Sequence, residues 1–363
     1  MKKIGLIISI IVLSSAAASI LFLNPGLITT VKANPYAGDD WTPPLNVSAL
    51  YQNSSTAYSD RAIAVDRSGN VHMVYYGETE DGGPHEIFYV TNSTGSWTWQ
   101  NVSNMADILY ADQYNPVLAL DENNVVHVVW FGAYYSGSPL NIFYSNNSGG
   151  TWTDPLNISK HTYSDKDPSI FVDMEGNIHV AFVSLDTNQL YYVNRIGGSW
   201  SNPQAIAPYN NYHVYDAGIS IAVDSKGHVY IAYTSDEPSN NCEVYVVNNT
   251  GGSWGPPYNV SRDMSTTDHN DLQVSMDIDA ADNIHLSWVH ASTPVTFNYV
   301  NCVNGVWGSI ESNHISLSQP SVKSDYNGKV HAVFNKFTTA LYVYYTNNTM
   351  MTFGTPVSTD NSS

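Results

Sequence analysis

At 363 residues, 43% of them hydrophobic, the chain is long enough to bury a large core. With only 12% charged residues, its polar surface has to be built from Asn, Ser, Thr, Gly and Tyr. The formal net charge of −19, from 13 Lys and Arg against 32 Asp and Glu, argues against DNA, RNA or anionic lipid as partners, because their recognition begins with phosphate neutralisation.

Read from the N-terminus, Lys2 and Lys3 precede an uncharged apolar run from Gly5 to Leu23, and Val31–Lys32–Ala33 suits a signal peptidase. Residues 1–33 therefore read as an export signal. The run exceeds the roughly 7–15 apolar residues of a signal peptide and approaches the roughly 20 that span a bilayer, so an uncleaved anchor is the alternative. Either way, residues 34–363 are expected outside the cytoplasm, secreted or on the outer face of the envelope, with this segment as the one membrane attachment.

From Ala62 onward one segment recurs six times: an apolar strand ending in Asp, a short turn with Gly or Asn, then a strand that usually carries His. The clearest copies are Ala62–Tyr76 (AIAVDRSGNVHMVYY) and Val117–Trp130 (VLALDENNVVHVVW). The marker residues Asp66, Asp121, Asp173, Asp224, Asp279 and Asp325 are 55, 52, 51, 55 and 46 residues apart. A third strand rich in Tyr and Phe follows each copy, as in Glu86–Val90 (EIFYV) and Glu243–Val247 (EVYVV), and then a fourth opened by Trp97, Trp152, Trp200, Trp254, Trp307 or Phe353. Four short-turn strands repeated every ~50 residues predict an all-β, six-bladed β-propeller of four-stranded antiparallel blades over residues 34–363. A seventh outer strand precedes the first repeat: Trp41–Ser48 (WTPPLNVS) nearly duplicates Trp152–Ser159 (WTDPLNIS). Either it or the strand after Phe353 could close the ring. Cys242 and Cys302 fall at opposite ends of equivalent strands in neighbouring blades, so no disulfide joins them in this reading.

The turn Ser145–Trp152 (SNNSGGTW) resembles the Asp-box, or BNR, repeat of sialidases and related propellers, Ser-x-Asp-x-Gly-x-Thr-Trp, with Asn147 in place of Asp. Weaker versions end at Trp200 and Trp254. The resemblance implies a sialidase-like propeller in which this hairpin is structural and lies opposite the functional face.

His72, His127, His179, His285 and His331 share one repeat position, filled by Tyr230 in the fourth blade. One such residue per blade is too widely spaced for a single metal ion, and the expected role is structural. The marker aspartates are expected to cap their turns.

Any site should lie on the face that gathers the second-to-third-strand loops and the blade connections. Six residues before each marker Asp stand Asp60, Asn115, Asp167, Gly218, Gln273 and Gln319, predicted to line the channel mouth. Near them are Asp112, Asp165, Asp216 and Asp271 and the loop Ala133–Ser138 with Tyr134 and Tyr135. A glycosidase needs two carboxyl groups across a bond or a Tyr activated by a carboxylate, and the catalytic candidates are Asp60, Asp112, Asp165 and Asp167. Sialidases also grip the sugar carboxylate with three arginines. Arg61 stands where the first of these would, Arg262 could face the same side, and Arg67 and Arg195 lie in turns of the opposite face. The triad is incomplete, which argues against a sialidase.

The expected ligand-binding residues are therefore Arg61, Asn115, Tyr134, Tyr135, Gln273 and Gln319. No cofactor is expected. Ser164–Asp167 (SDKD) and Asp268–Asp271 (DHND) offer oxygen ligands for calcium, with solvated loop acids the plainer reading. Asn46, Asn53, Asn92, Asn101, Asn146, Asn157, Asn248, Asn259, Asn347 and Asn361 head Asn-x-Ser/Thr sequons, several of them arising because the repeat contains Asn–Val–Ser. The sequence favours a non-catalytic glycan- or protein-binding module, with a sialidase-like glycoside hydrolase or polysaccharide lyase, or a structural adhesion protein of the envelope, as alternatives. Extracellular glycans or surface proteins are the expected partners.

Overall fold

The computed structural model describes residues 61–78, 83–103, 111–209, 218–236, 242–261, 270–291, 295–313, 317–325, 327–337, 341–347 and 357–358. The export segment, Trp41–Ser48, Asp60, Asp216, Arg262 and Phe353 fall outside these residues, as do the sequons at Asn46, Asn53 and Asn361 and part of that at Asn347; of Gln319 only the backbone is described.

Among the described residues the strands form six antiparallel sheets, each taking its strands in chain order. The second sheet, Gln113–Leu120, Val126–Gly132, Asn141–Asn146 and Leu156–Asn157, is representative. In the third and fifth sheets the outer strand is split into two pieces on the same third strand. The sixth takes its outer strand from Val357–Ser358, so the strand after Phe353 completes its own sheet.

Side chains alternate along each strand, and the sheets use both faces. One buried cluster joins the first and second sheets through Tyr76, Ile87, Leu118, Trp130 and Phe143. Another joins the second and third through Val117, Val129, Ile142, Val180 and Phe182. Similar clusters join third to fourth, fourth to fifth and fifth to sixth. The core is thus a series of layers between successive sheets. First strands pack on first strands in the same order. Small polar residues stitch them together: Ser169 Oγ accepts the Ile221 amide at 3.2 Å, Ser220 Oγ the Met276 amide at 3.0 Å, and Ser275 Oγ the Val322 amide at 3.1 Å.

The repeat pattern has a local cause at each marker Asp. In all six, one carboxylate oxygen accepts the amides two and four residues on, at 2.7–3.0 Å, which folds the turn back on itself. The second hairpin on this side is held similarly in the first, second and fourth sheets: Asn92, Asn147 and Asn249 accept the amides of Val71, Val126 and Val229 at 2.7–2.8 Å. Asn147, where an Asp-box would have Asp, is one of these acceptors.

The recurrent histidines are structural, but their partners are side chains rather than backbone carbonyls. His179 Nε2 lies 3.1 Å from Asp173 and its Nδ1 2.7 Å from the Tyr192 hydroxyl. The neutral tautomer that satisfies both contacts donates from Nε2 to the carboxylate and accepts the phenol proton at Nδ1. His72 and His127 keep the tyrosine contact, to Tyr89 and Tyr144, with longer carboxylate distances of 3.5 and 3.8 Å; His285 pairs with Asp279 at 3.2 Å and Tyr299 at 2.7 Å. The tyrosine edge then meets the Trp of the next sheet: Tyr89 on Trp152, Tyr144 on Trp200 and Tyr192 on Trp254, with ring centroids 4.9–5.1 Å apart. In the fourth sheet Tyr230 replaces the His, and Val246 stands at the position equivalent to Tyr192. The Tyr230 phenol reaches Asp224 directly, at 3.4 Å.

The Asn–Val–Ser repeats are explained by the outer strand. Ser103, Ser159 and Ser261 are buried and accept the amides of Ile87, Ile142 and Val244 at 2.8–3.2 Å. The hydroxyl that completes each sequon fastens the fourth strand to the third.

Candidate functional site on the loop face

The first strands carry a bulge near the face opposite the Asp turns. Register shifts bracket Asn115–Pro116, Asp167–Pro168, Gln273–Val274 and Gln319–Pro320. Three of the four bulges contain Pro, which has no amide to leave unpaired there. Asn115, Asp167 and Gln273 adopt the left-handed region, with φ of 48°, 52° and 56°. That conformation is unfavourable for a residue with a side chain and is found where packing or function holds it. At the equivalent place in the fourth sheet, Gly218 is obligatory: a Cβ there would lie 2.6 Å from the Val274 nitrogen.

These positions converge. Asn115 Nδ2 lies 3.4 Å from Asp167 Oδ1, linking the second and third sheets, and Lys166 Nζ lies 3.3 Å from Asp167 Oδ2. Arg61, in contrast, is 8% exposed and donates to the carbonyl of Ile221, 160 residues away in the fourth sheet. Its guanidinium also sits 5.3 Å over Phe171. Arg61 thus reaches from the start of the first sheet to the third and fourth. Further along the first strands, Lys323 pairs with Asp277 at 3.1 Å. Burial opposes the charge on Asp277, but Lys323, Ser324 and Arg61 together hold its pKa below the usual value.

The predicted carboxylates separate into two kinds. Asp112 is about half exposed and is tied to His85 through its backbone amide at 2.9 Å and its Nδ1 at 3.1 Å. Burial opposes its ionisation, but the His85 and Tyr114 hydrogen bonds outweigh it and lower the pKa. Burial, and then the hydrogen bond to Asp112, push the Tyr114 phenol well upward, so it rests in its neutral form. Tyr76, His85 and Tyr114 form an aromatic cluster with centroids 5.2–5.5 Å apart. Asp165 is fully buried and faces His161 at 3.2 Å; burial raises its pKa despite that partner. Asp271, one repeat position equivalent to Asp165, is buried beneath Trp288 Nε1 at 2.9 Å and His290 Nδ1 at 2.7 Å. Gln113 plays the same part for Trp130 Nε1, at 2.8 Å. Phe182 occupies that place in the third sheet and has no N–H, which leaves Asp165 to His161.

Tyr134 and Tyr135 are 41% and 63% exposed on the second sheet's loop, their amides held by Ser138 Oγ at 3.1 and 3.3 Å. Tyr163, which sequence reasoning missed, is 42% exposed on the connection into the third sheet and packs its edge on His161. Its signal was a Tyr beside the Ser164–Asp167 loop. Among the described residues no group of three or more His, Cys, Asp or Glu is placed to hold a metal ion.

No protein-family model matches the chain, and no curated protein matches it in sequence. Solved structures do match its fold. An ulvan lyase of a polysaccharide lyase family, bound to -[GlcA(1-4)Rha3S]-, is 10% identical over 86% of each chain, with a TM-score of 0.59. The intramolecular trans-sialidase of Ruminococcus gnavus, in complex with oseltamivir carboxylate, is 11% identical over 86% of this chain and 95% of that one, with a TM-score of 0.53. AofleA from Arthrobotrys oligospora is 13% identical over 85% and 86%, with a TM-score of 0.52. The protein therefore shares the all-β, propeller-type fold of this group; identities this low carry the fold alone.

Proposed function

We propose that the protein is an exported six-bladed β-propeller that binds carbohydrate on its loop face without chemical turnover. The observation that carries this reading is the set of exposed tyrosines, Tyr134, Tyr135 and Tyr163, on the same face as the bulge residues Asn115, Asp167 and Gln273. Phenol rings stack on sugar faces, and amides and carboxylates bond hydroxyls, which together make a saccharide site. The ulvan lyase bound to -[GlcA(1-4)Rha3S]- and the trans-sialidase of like fold support the ligand class.

One observation favours a hydrolase or lyase as the second reading: Asp112 is held in its charged form while Asp165 is pushed toward its protonated form. Such a split is what acid–base catalysis uses. Against it, Asp165 is fully covered and bonded to His161. A glycan array run with a pooled glycoside and polysaccharide release assay tests both. Saturable binding without product, weakened about tenfold or more by Tyr135→Ala, is expected. Product release abolished by Asp112→Asn would replace binding with catalysis.

A further inference from the structure

The Asn-x-Ser/Thr sequons among the described residues divide by what their side chains already do. At Asn101, Asn157 and Asn259 the hydroxyl belongs to Ser103, Ser159 or Ser261, each buried and bonded to the third strand. The Asn157 carboxamide donates to Asn141 at 2.9 Å and accepts the Lys160 amide and the Ser159 hydroxyl at 2.9 and 3.2 Å. The Asn259 carboxamide oxygen is buried. A sugar on the Asn157 nitrogen would displace these contacts and loosen the fourth strand from the third.

Asn92, Asn146 and Asn248 instead head sequons in hairpin turns on the Asp-turn side, where Thr94, Ser148 and Thr250 are exposed. Two of these sequons are engaged elsewhere. Asn92 accepts the Val71 amide at 2.7 Å, and its Thr94 hydroxyl donates to the Ser96 carbonyl at 3.2 Å. Asn146 is hydrogen-bonded to the Tyr144 phenol, as Asn194 Nδ2 is to Tyr192 at 3.2 Å in the third sheet. In the fourth sheet Val246 stands where that phenol would be. Asn248 Nδ2 therefore has no hydrogen-bond partner among the described residues, while its Oδ1 accepts the Thr250 hydroxyl at 2.8 Å and the Thr250 amide at 3.2 Å. Two donors on Oδ1 stabilise the charge that develops as Nδ2 gives up a proton, which makes this nitrogen the better nucleophile. The surroundings are open: Thr250, Gly251, Gly252 and Ser253 are exposed, and a Cβ on either glycine would meet nothing within 4 Å.

We propose, resting on the export reading above, that Asn248 is an N-glycosylation site. Its Nδ2 attacks C1 of a polyprenyl-pyrophosphate-linked oligosaccharide. The C1–N bond forms, the C1–O bond to phosphate breaks, the pyrophosphate leaves with the electron pair, and the amide proton passes to a base of the transferase. The glycan then stands on the Asp-turn face and leaves the loop face open to ligand.

The test is to incubate the purified, folded full-length chain with an oligosaccharyltransferase and its lipid-linked oligosaccharide, and to read each site by peptide mass spectrometry. Asn248 should be modified about tenfold or more faster than Asn101, Asn157 and Asn259 in the folded chain, and the four should level out in the unfolded chain. Tyr144→Phe, which keeps the ring and removes the phenol oxygen, should speed modification of Asn146 about threefold or more. Equal rates in the folded chain, or an Asn248 that reacts only when unfolded, overturn the proposal. An Asn146 indifferent to Tyr144→Phe overturns the argument from the missing phenol. Expression in a eukaryotic secretory host separates the site from the export: Asn248 modified in both settings supports the two together. Asn248 modified in the tube but bare in the host means that residues 1–33 do not deliver the chain, and the export reading falls alone.

Discussion

At Asp173 a single carboxylate accepts four donors: the amides of Glu175 and Asn177, the Asn177 side chain and the His179 ring. Asp173→Ala would leave all four in want of a partner, and a loss of roughly 2–4 kcal/mol in urea unfolding is expected. The fourth sheet offers a sharper test of the Asp–His–Tyr arrangement, because it has exchanged His for Tyr230 and Tyr for Val246 together. Tyr230→His alone exchanges the phenol donor on Asp224 for an imidazole and leaves Nδ1 without its phenol. Adding Val246→Tyr restores the arrangement, so the pair should couple favourably by about 1 kcal/mol or more in a double-mutant cycle. Strictly additive effects would mean that the ring–phenol contact contributes little. The sequence displayed the periodic His and the exception at 230. Its partners were not legible, because they depend on the register that sets His179 against Asn194 and so brings Tyr192 alongside.

The bulged first strand is the element that shapes the loop face. Its left-handed residues are unfavourable by roughly 1–2 kcal/mol each relative to glycine, offset in part by the extra chain freedom a glycine loses on folding. Gln273→Gly should therefore leave the unfolding midpoint unchanged or raise stability by up to about 1 kcal/mol, while weakening saccharide binding. A variant that is both less stable and fully active would show that the bulge serves packing alone. Gly218→Ala should act the other way, destabilising by roughly 2–3 kcal/mol, since its Cβ would press on the Val274 backbone and neither chain can yield. Of this element, the repeat picked out Asn115 and Asp167, six before their Asp, and these two do meet; Asp60 lies outside the described residues. The bulge had its own signal in Pro116, Pro168 and Pro320, a residue type that central strands avoid. Tyr163 and the inward course of Arg61 were not legible, because a connecting loop and a long flexible side chain follow tertiary contacts rather than periodicity.

For the whole molecule, an Asp–His pair repeated in five of the six sheets makes acid stability a collective property. Burial lowers the pKa of His72 and His179 below 6.5 and that of His127 to about 4, outweighing the neighbouring carboxylates. Between those values and 6.5 the unfolded chain binds protons that the folded chain does not, so the folded state loses stability as the pH falls through that interval. For His127 alone the loss by pH 4 is on the order of 3 kcal/mol. A second decline follows at lower pH. Burial opposes ionisation of Asp66, Asp173, Asp224, Asp279 and Asp325, but the hydrogen bonds each accepts in its turn hold the pKa below 3.8. The stability these carboxylates contribute is present above 3.8 and is lost as the pH falls below it. Urea midpoints measured from pH 8 downward should stay level to about 7, fall from about 6.5, and steepen below about 4. Replacing one pair, as in His127→Gln with Tyr144→Phe, should remove its share of the upper decline and leave the lower one unchanged. A midpoint that stays level down to pH 4.5 would mean that the imidazoles are charged in the folded protein, with Asp–His ion pairs in place of neutral relays.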